Sequence, residues 1–404
     1  MIFALLVGTI IFNPAYALLD ILLGSQFPDV IKYLLYVLVL TALLGVFAYR
    51  LKDGVPLRDK PVPSFILAAA ALLIWTIITI SFSDVGLKQG LRGLSVNFIG
   101  ILLFITIWMW RPTKKYATRI NWTIFYTLVF LMVITLPELI NNHAFRLWSG
   151  RPLDNHFVAA SLPQLRSLTP GPNPLGTLMT VLAAVTVLMV SNKWWRYGLL
   201  TATGLTSGMT YARSAWLGAA TMGSGTFFQG LGMKRFKLWP VILGLSMLTG
   251  IALGAVRYQT PIADIFFHGE STEQHQEAAV QAAESGARNT TPTLIGYGIG
   301  TTGPVVLDTP IASDKKYPKI SESWYIQLVQ EIGLIGLALY LWFYMAVLRA
   351  IFKKDRSNII GWLGVGLAIN AIFLHVWSSD MNVNLMFWTL AGLSLFSRPT
   401  DAKE

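Results

Sequence analysis

Apolar stretches of about the same length recur along the whole chain, separated by short polar breaks. A helix needs about 20 apolar residues to cross the hydrocarbon core of a bilayer. Stretches of that length predict spans near 1–19, 30–49, 62–82, 93–110, 121–140, 173–191, 195–211, 214–231, 237–256, 323–348, 358–378 and 382–397. The seventh and eighth are diluted by Gly, Ser and Thr. The fold class this predicts is an all-α membrane protein of about 12 transmembrane helices, with residues 1–404 forming one integral membrane domain. The first stretch is apolar from residue 2. No basic run precedes it and no small-residue cleavage site stands out, which predicts a retained helix and not a removed signal.

Two longer polar segments break this rhythm. The first, 141–172, carries His143, Arg146, Arg151, His156 and Arg166, then Thr169-Pro-Gly-Pro-Asn173-Pro174. The second, 257–322, is rich in Glu, Gln and Ala from Glu270 to Ala287, which predicts an exposed amphipathic helix. After it, Leu294-Ile-Gly-Tyr-Gly-Ile-Gly300 predicts a turn packing on the membrane surface. No strand–helix unit surrounds those glycines, so they are not a dinucleotide-binding loop. Long ordered loops are usually functional, so chemistry is expected in these two segments.

Composition agrees with the pattern. The chain is 54% hydrophobic and 13% charged, against about 25% charged in soluble domains. The net charge of +11 raises the question of nucleic acid, and the placement of the cations answers it. Arg50, Lys52, Arg58, Lys60, Arg111, Lys114, Lys115, Arg119, Lys193, Arg196, Lys234, Arg235, Lys237, Arg349, Lys353, Lys354, Arg356, Arg398 and Lys403 all fall at alternate breaks between spans. Cytoplasmic loops concentrate Lys and Arg. The bias puts both termini in the cytoplasm and the 141–172 and 257–322 loops at the periplasmic or extracellular face. No nucleic-acid partner is expected. There is no cysteine, so disulfide and thiol chemistry are absent.

Four residues are candidates for chemistry. Arg213, in Tyr211-Ala-Arg213-Ser-Ala-Trp216-Leu-Gly218, sits at the outer boundary between two apolar stretches. Alone it reads as an arginine reaching for the interface. Together with Arg166 and Arg288 it would suit a diphosphate, because each guanidinium donates two parallel hydrogen bonds. Glu322 opens a helix running from Ser323. It reads equally as a dipole complement beside a Ser321 cap or as a general base.

Other polar residues invite plainer readings. Glu331, inside the same span, is expected to hydrogen-bond a neighbouring helix and fix packing. Asp380 reads as a solvated loop residue. Trp148, Trp324, Tyr325 and Trp377 near span ends are expected to form the interfacial aromatic belt. His143, His156, His268, His275 and His375 show no metal-ligand spacing, so no metal and no cofactor are expected. The outer loops contain no Asp-x-Asp pair and the chain no serine-hydrolase elbow.

Several segments come in an order that resembles one family. These are Arg166-Ser-Leu-Thr-Pro-Gly-Pro-Asn173-Pro-Leu-Gly176, Ala212-Arg213-Ser-Ala-Trp-Leu-Gly218, Gly286-Ala-Arg288 with Leu294-Ile-Gly-Tyr-Gly-Ile-Gly300, and Glu322-Ser-Trp-Tyr-Ile-Gln-Leu-Val-Gln-Glu331-Ile-Gly333-Leu-Ile-Gly336. Over roughly 160–350 they resemble the O-antigen ligase and O-antigen polymerase superfamily. The long outer loop follows the ninth predicted span, as it does there.

The resemblance implies a GT-C type glycosyltransferase of the bacterial inner membrane. Its donor would be an undecaprenyl-diphosphate-linked saccharide, used at the periplasmic face. Arg213 and Arg288 match the family's diphosphate-binding arginines, with Arg166 as a third. Glu322 stands where the ligases carry a histidine; a carboxylate can accept the same proton, and polymerases vary more there. The implied activity is therefore an inverting, metal-independent polymerase acting on a lipid-linked glycan acceptor. A ligase delivering glycan to lipid A-core or protein is the alternative within enzymes. A lipid-saccharide flippase is the alternative of another class.

The expected sidedness can be read directly, because the chain lacks cysteine. Ala144→Cys is expected to react with an impermeant maleimide from the periplasmic side, and Ser191→Cys only after the inner membrane is opened. The reverse labelling would invert the topology.

Overall fold

Inside a bilayer, backbone N–H and C=O groups have no water to bond, so apolar segments must pair them internally. The computed structural model describes residues 1–22, 34–52, 62–83, 85–149, 165–232, 238–257, 280, 290–306, 309, 323–355, 358–378 and 381–396, and every regular element among them is helical. The first half contains α1 (Ile2–Leu22), α2 (Leu34–Lys52), α3 (Ser64–Phe82), α4 (Gly86–Trp110), α5 (Lys114–Val133) and the short α6 (Thr135–Ile140) and α7 (Asn142–Trp148). Then follow α8 (Pro172–Met189), α9 (Lys193–Met209), α10 (Arg213–Gly232), α11 (Trp239–Arg257) and the short α12 (Thr290–Ile295). The chain ends with α13 (Trp324–Lys354), α14 (Ile359–Phe373) and α15 (Met381–Ser394). The predicted Glu270–Ala287 helix lies outside the described residues apart from Val280.

Helices occupy all twelve predicted stretches. Five are long and apolar enough to cross a membrane: α3, α4, the run Lys114–Ile140, α8 and α13. A sixth joins them if Ile2–Phe12 and Pro14–Leu22, the two halves of α1, are one bent crossing. The others are shorter or more polar, so length and apolarity alone give fewer crossings than the twelve expected. The reason is visible in the packing. In α15 every side chain from Asn382 to Ser394 is buried. A helix enclosed by protein does not have to be solvated by lipid, so it tolerates Asn and Thr that find partners. Asn384 does so, donating to Trp377 O at 2.9 Å and to Val96 O of α4 at 3.3 Å. In α8 the side chains from Pro174 to Thr186 are likewise buried.

The glycine-diluted α9 packs tightly on α11. A Cβ at Gly208 would overlap Met247 O, and one at Gly250 would overlap Leu205 O, so the two backbones touch. Small residues that admit such approach are the usual basis of helix association in membranes.

Cross-bundle contacts define two ends. At one end, Arg50 Nε at the close of α2 donates to Met109 O near the close of α4 at 2.8 Å. There too, Lys354 at the close of α13 donates to Leu395 O after α15 at 2.8 Å. This end carries Arg50, Lys52, Arg111, Lys114, Lys115, Lys353 and Lys354. At the other end, Leu165 N donates to Met209 O, Asn370 Nδ2 of α14 to Thr177 Oγ1 of α8, and Trp324 N to Leu374 O. Both predicted outer segments connect at this second end.

Long α13 is broken at Gly333, whose φ of 71° and ψ of −180° are not helical. A Cβ there would overlap Leu294 O, where the end of α12 meets the break. Gly333→Ala combines a left-handed backbone with that overlap. It is expected to lower stability by about 1–3 kcal/mol or more, read as a lower melting temperature of the detergent-purified protein. An unchanged melting temperature would show that the break is not needed.

Candidate functional site

A break in a buried helix leaves carbonyls without their usual partners, and each must be satisfied some other way. Around Gly333 each has a donor. Tyr297 N donates to Gln330 O at 2.8 Å, Gly298 N to Glu331 O at 2.9 Å, and Trp75 Nε1 of α3 to Ile332 O at 2.8 Å. The chain that supplies two of these donors is the glycine-rich stretch 294–300. Positive φ at Gly296, Gly298 and Gly300 lets it wind tightly enough to present successive amides.

Glu331 completes this arrangement. Its side chain is fully buried. One carboxyl oxygen accepts from Asn97 Nδ2 of α4 at 2.8 Å, and the other from Gly300 N at 3.1 Å and Thr302 N at 3.4 Å. Gln89 Nε2 holds Gly300 O at 3.0 Å, and Ser378 Oγ donates to Gln327 Oε1 at 3.0 Å, one turn from Glu331. Glu331 thus fixes packing between α4, α13 and the loop. The glycine stretch, expected on the membrane surface, enters the bundle at its second half: residues 298–303 are buried, whereas Leu294 is exposed. The physical reason is the break itself, whose carbonyls only a loop with free amides can reach.

The aromatic belt is corrected in the same way. Trp324 is 0% exposed and Trp377 1%, whereas Trp148 is exposed. Trp324 lies edge-on to Tyr340 at 6.0 Å, and Trp377 lies 5.2 Å from Phe387. The bond from Trp324 N to Leu374 O draws the start of α13 under the 374–378 turn, so both indoles enter the core. The N-cap of α13 is Ser323, without a side-chain cap bond. Ser321, Glu322, Asp380 and Arg288 lie outside the described residues.

Of the proposed diphosphate ligands, Arg166 and Arg213 are described. The Leu165–Met209 bond joins the turn bearing Arg166 to the end of α9, four residues before Arg213 opens α10. Ser167 and Tyr211 flank these arginines with left-handed φ of 53° and 55°. Such backbone is strained for non-glycine residues and collects at functional sites. The strain at Ser167 is held by Glu138, whose buried carboxylate accepts from Arg166 N at 2.9 Å and Ser167 N at 2.8 Å, and by a bond from Ser167 Oγ to Leu131 O at 2.7 Å.

Arg146 is also buried here. Burial, and then the neighbouring Arg146 guanidinium, push the Arg166 side chain below the usual arginine value, and Glu138 pulls it back up. Arg146 and Glu138 thus act on the Arg166 guanidinium in opposite directions. Sequence reasoning missed Glu138, although it is the one charged residue in the 121–140 stretch. No three His, Asp or Glu side chains converge on a metal-sized site among the described residues.

The start of α13, directly after Glu322, joins the same end through α14. Trp324 N bonds Leu374 at the close of α14, and Asn370 of α14 bonds Thr177 in α8, a few residues after the Arg166 turn. No protein-family model and no curated protein sequence matches the chain.

Replacing Glu331 by Leu strands its donors in a dry interior, at about 1–3 kcal/mol for each buried group left unsatisfied. The expected result is a clear loss of thermal stability in the purified protein. Wild-type melting would show that the carboxyl does not hold the loop.

Proposed function

We propose that the chain is an O-antigen-type polysaccharide polymerase of the bacterial inner membrane, with cytoplasmic termini and a periplasmic site. It would transfer a glycan from an undecaprenyl-diphosphate-linked donor to a sugar hydroxyl of a second lipid-linked glycan. The observation that supports the reading is that three backbone points lie at the same end of an apolar helical bundle. These are the strained turn at Arg166, the strained turn before Arg213, and the helix start that follows Glu322.

In the proposed reaction the acceptor hydroxyl oxygen attacks the anomeric carbon of the donor. The bond from that carbon to the diphosphate oxygen breaks, with inversion. Glu322 takes the hydroxyl proton, and the lipid diphosphate leaves carrying the electron pair. Arg213, Arg288 and Arg166 would stabilise charge growing on the leaving oxygens. Fixed cations aimed at a departing anion are a large catalytic term. Glu138 would act behind Arg166 by holding its turn.

The test supplies lipid-linked repeat units to purified protein and reads a ladder of lengthening products. Glu322→Gln is expected to slow elongation by about a hundredfold or more, the usual reach of a general base, with membrane insertion unchanged. Arg213→Ala is expected to slow it comparably. Wild-type rates in both variants would remove the mechanism. A single transfer to lipid A-core would instead mean a ligase, and no release of polyprenyl diphosphate would point to transport.

A further inference from the structure

A cavity of about 770 Å³ lies between α2 and α4, away from the arginine turns. Its size is that of a ligand cleft, which typically spans roughly 300–1,000 Å³. The walls are apolar: Val39 and Leu40 from α2 face Leu94, Ile99 and Leu102 from α4. At the mouth the character changes to Lys88 and Arg92, one helical turn apart and both exposed. The mouth lies at the end of the bundle where the outer segments connect, since α4 runs from there toward Met109. From Lys88 to Leu102 the helix descends about 20 Å at 1.5 Å per residue. That exceeds one leaflet's share of a hydrocarbon core about 30 Å thick.

A slot this deep, greasy below and doubly cationic above, matches one kind of molecule. We infer that the α2–α4 groove, with Lys88 and Arg92 at its mouth, binds a long single-chain lipid ending in a phosphate monoester or diphosphate. Two adjacent cations complement a terminal phosphate, which carries about −1.5 to −2 charges at neutral pH. They exceed what a singly charged phosphodiester lipid needs.

The groove is also coupled to the buried loop. Gln89, between the two cations, bonds Gly300 O at 3.0 Å, and Thr309 of the long segment lines the mouth. A lipid head held there would sit beside Thr309. The inference rests on the polymerase reading for the identity of the lipid, and on the groove alone for its location.

The experiment measures binding to the full chain in detergent by native mass spectrometry, with undecaprenyl monophosphate and dioleoylphosphatidylglycerol as separate probes. The monophosphate is expected to bind more tightly. The double variant Lys88→Ala/Arg92→Ala is expected to weaken it by about tenfold, the scale of two exposed ion pairs. Leu94→Trp, which fills the slot and leaves both cations in place, is expected to abolish the preference for the monophosphate; thermal melting confirms that each variant is folded. Equal binding of the two lipids by wild-type protein, or undiminished monophosphate binding in both variants, would overturn the groove. Tight, variant-sensitive binding in a protein that elongates no glycan would leave the groove standing and remove the polymerase.

Discussion

One buried carboxyl and one broken helix organise the outer half of this protein. A helix interrupted inside an apolar bundle cannot leave its carbonyls bare, because the nearest water is too far away to help. The break at Gly333 is filled by amides from the 294–300 stretch and an indole from α3, while Glu331 gathers the next two amides of the same loop and an amide side chain from α4. Every donor has an acceptor of the right kind, and no apolar residue could replace the carboxyl without stranding them. The consequence reaches beyond stability. Residues 296–302, in the long segment between α11 and α13, are thereby anchored within the bundle.

The second constraint is electrostatic. The two ends of the bundle are unlike. One carries a dense set of lysines and arginines at helix termini, the arrangement expected of a cytoplasmic face. Among the described residues the other carries Arg146 and Arg166 around Glu138, Arg213 at a helix start, and Lys88 and Arg92 over an apolar slot. Cations held in strained turns or above a greasy groove are poorly explained by topology alone. They suit the anionic lipid-linked substrate proposed above.

Helices were legible in the sequence because their apolar runs are long, and all twelve stretches carry one. Their burial was not, since the shorter, more polar α15 is enclosed while the longer, more apolar α3 is partly exposed. Glu331 was readable as a packing residue because a carboxylate inside a span must find donors, but the identity of those donors was not, for they are the amides of Gly300 and Thr302, 31 and 29 positions away, and the side chain of Asn97, 234 positions away. The glycines themselves misled: a Gly-rich run between polar residues reads as a surface turn, and only the break at Gly333 makes a deep position favourable. Trp324 and Trp377 failed for a related reason, as a hydrogen bond between Trp324 and Leu374 pulls both rings inward. Arg166 and Arg213 were legible as a pair of candidates; the Leu165–Met209 bond and the left-handed residues beside each arginine needed coordinates.

Hydrogen–deuterium exchange across 296–303 tests the central claim most directly. If this loop is threaded into the break of α13 and held by Glu331, the amides of Tyr297, Gly298, Gly300 and Thr302 will exchange as slowly as those in the middle of α8. Exchange as fast as that of an exposed loop would contradict the account.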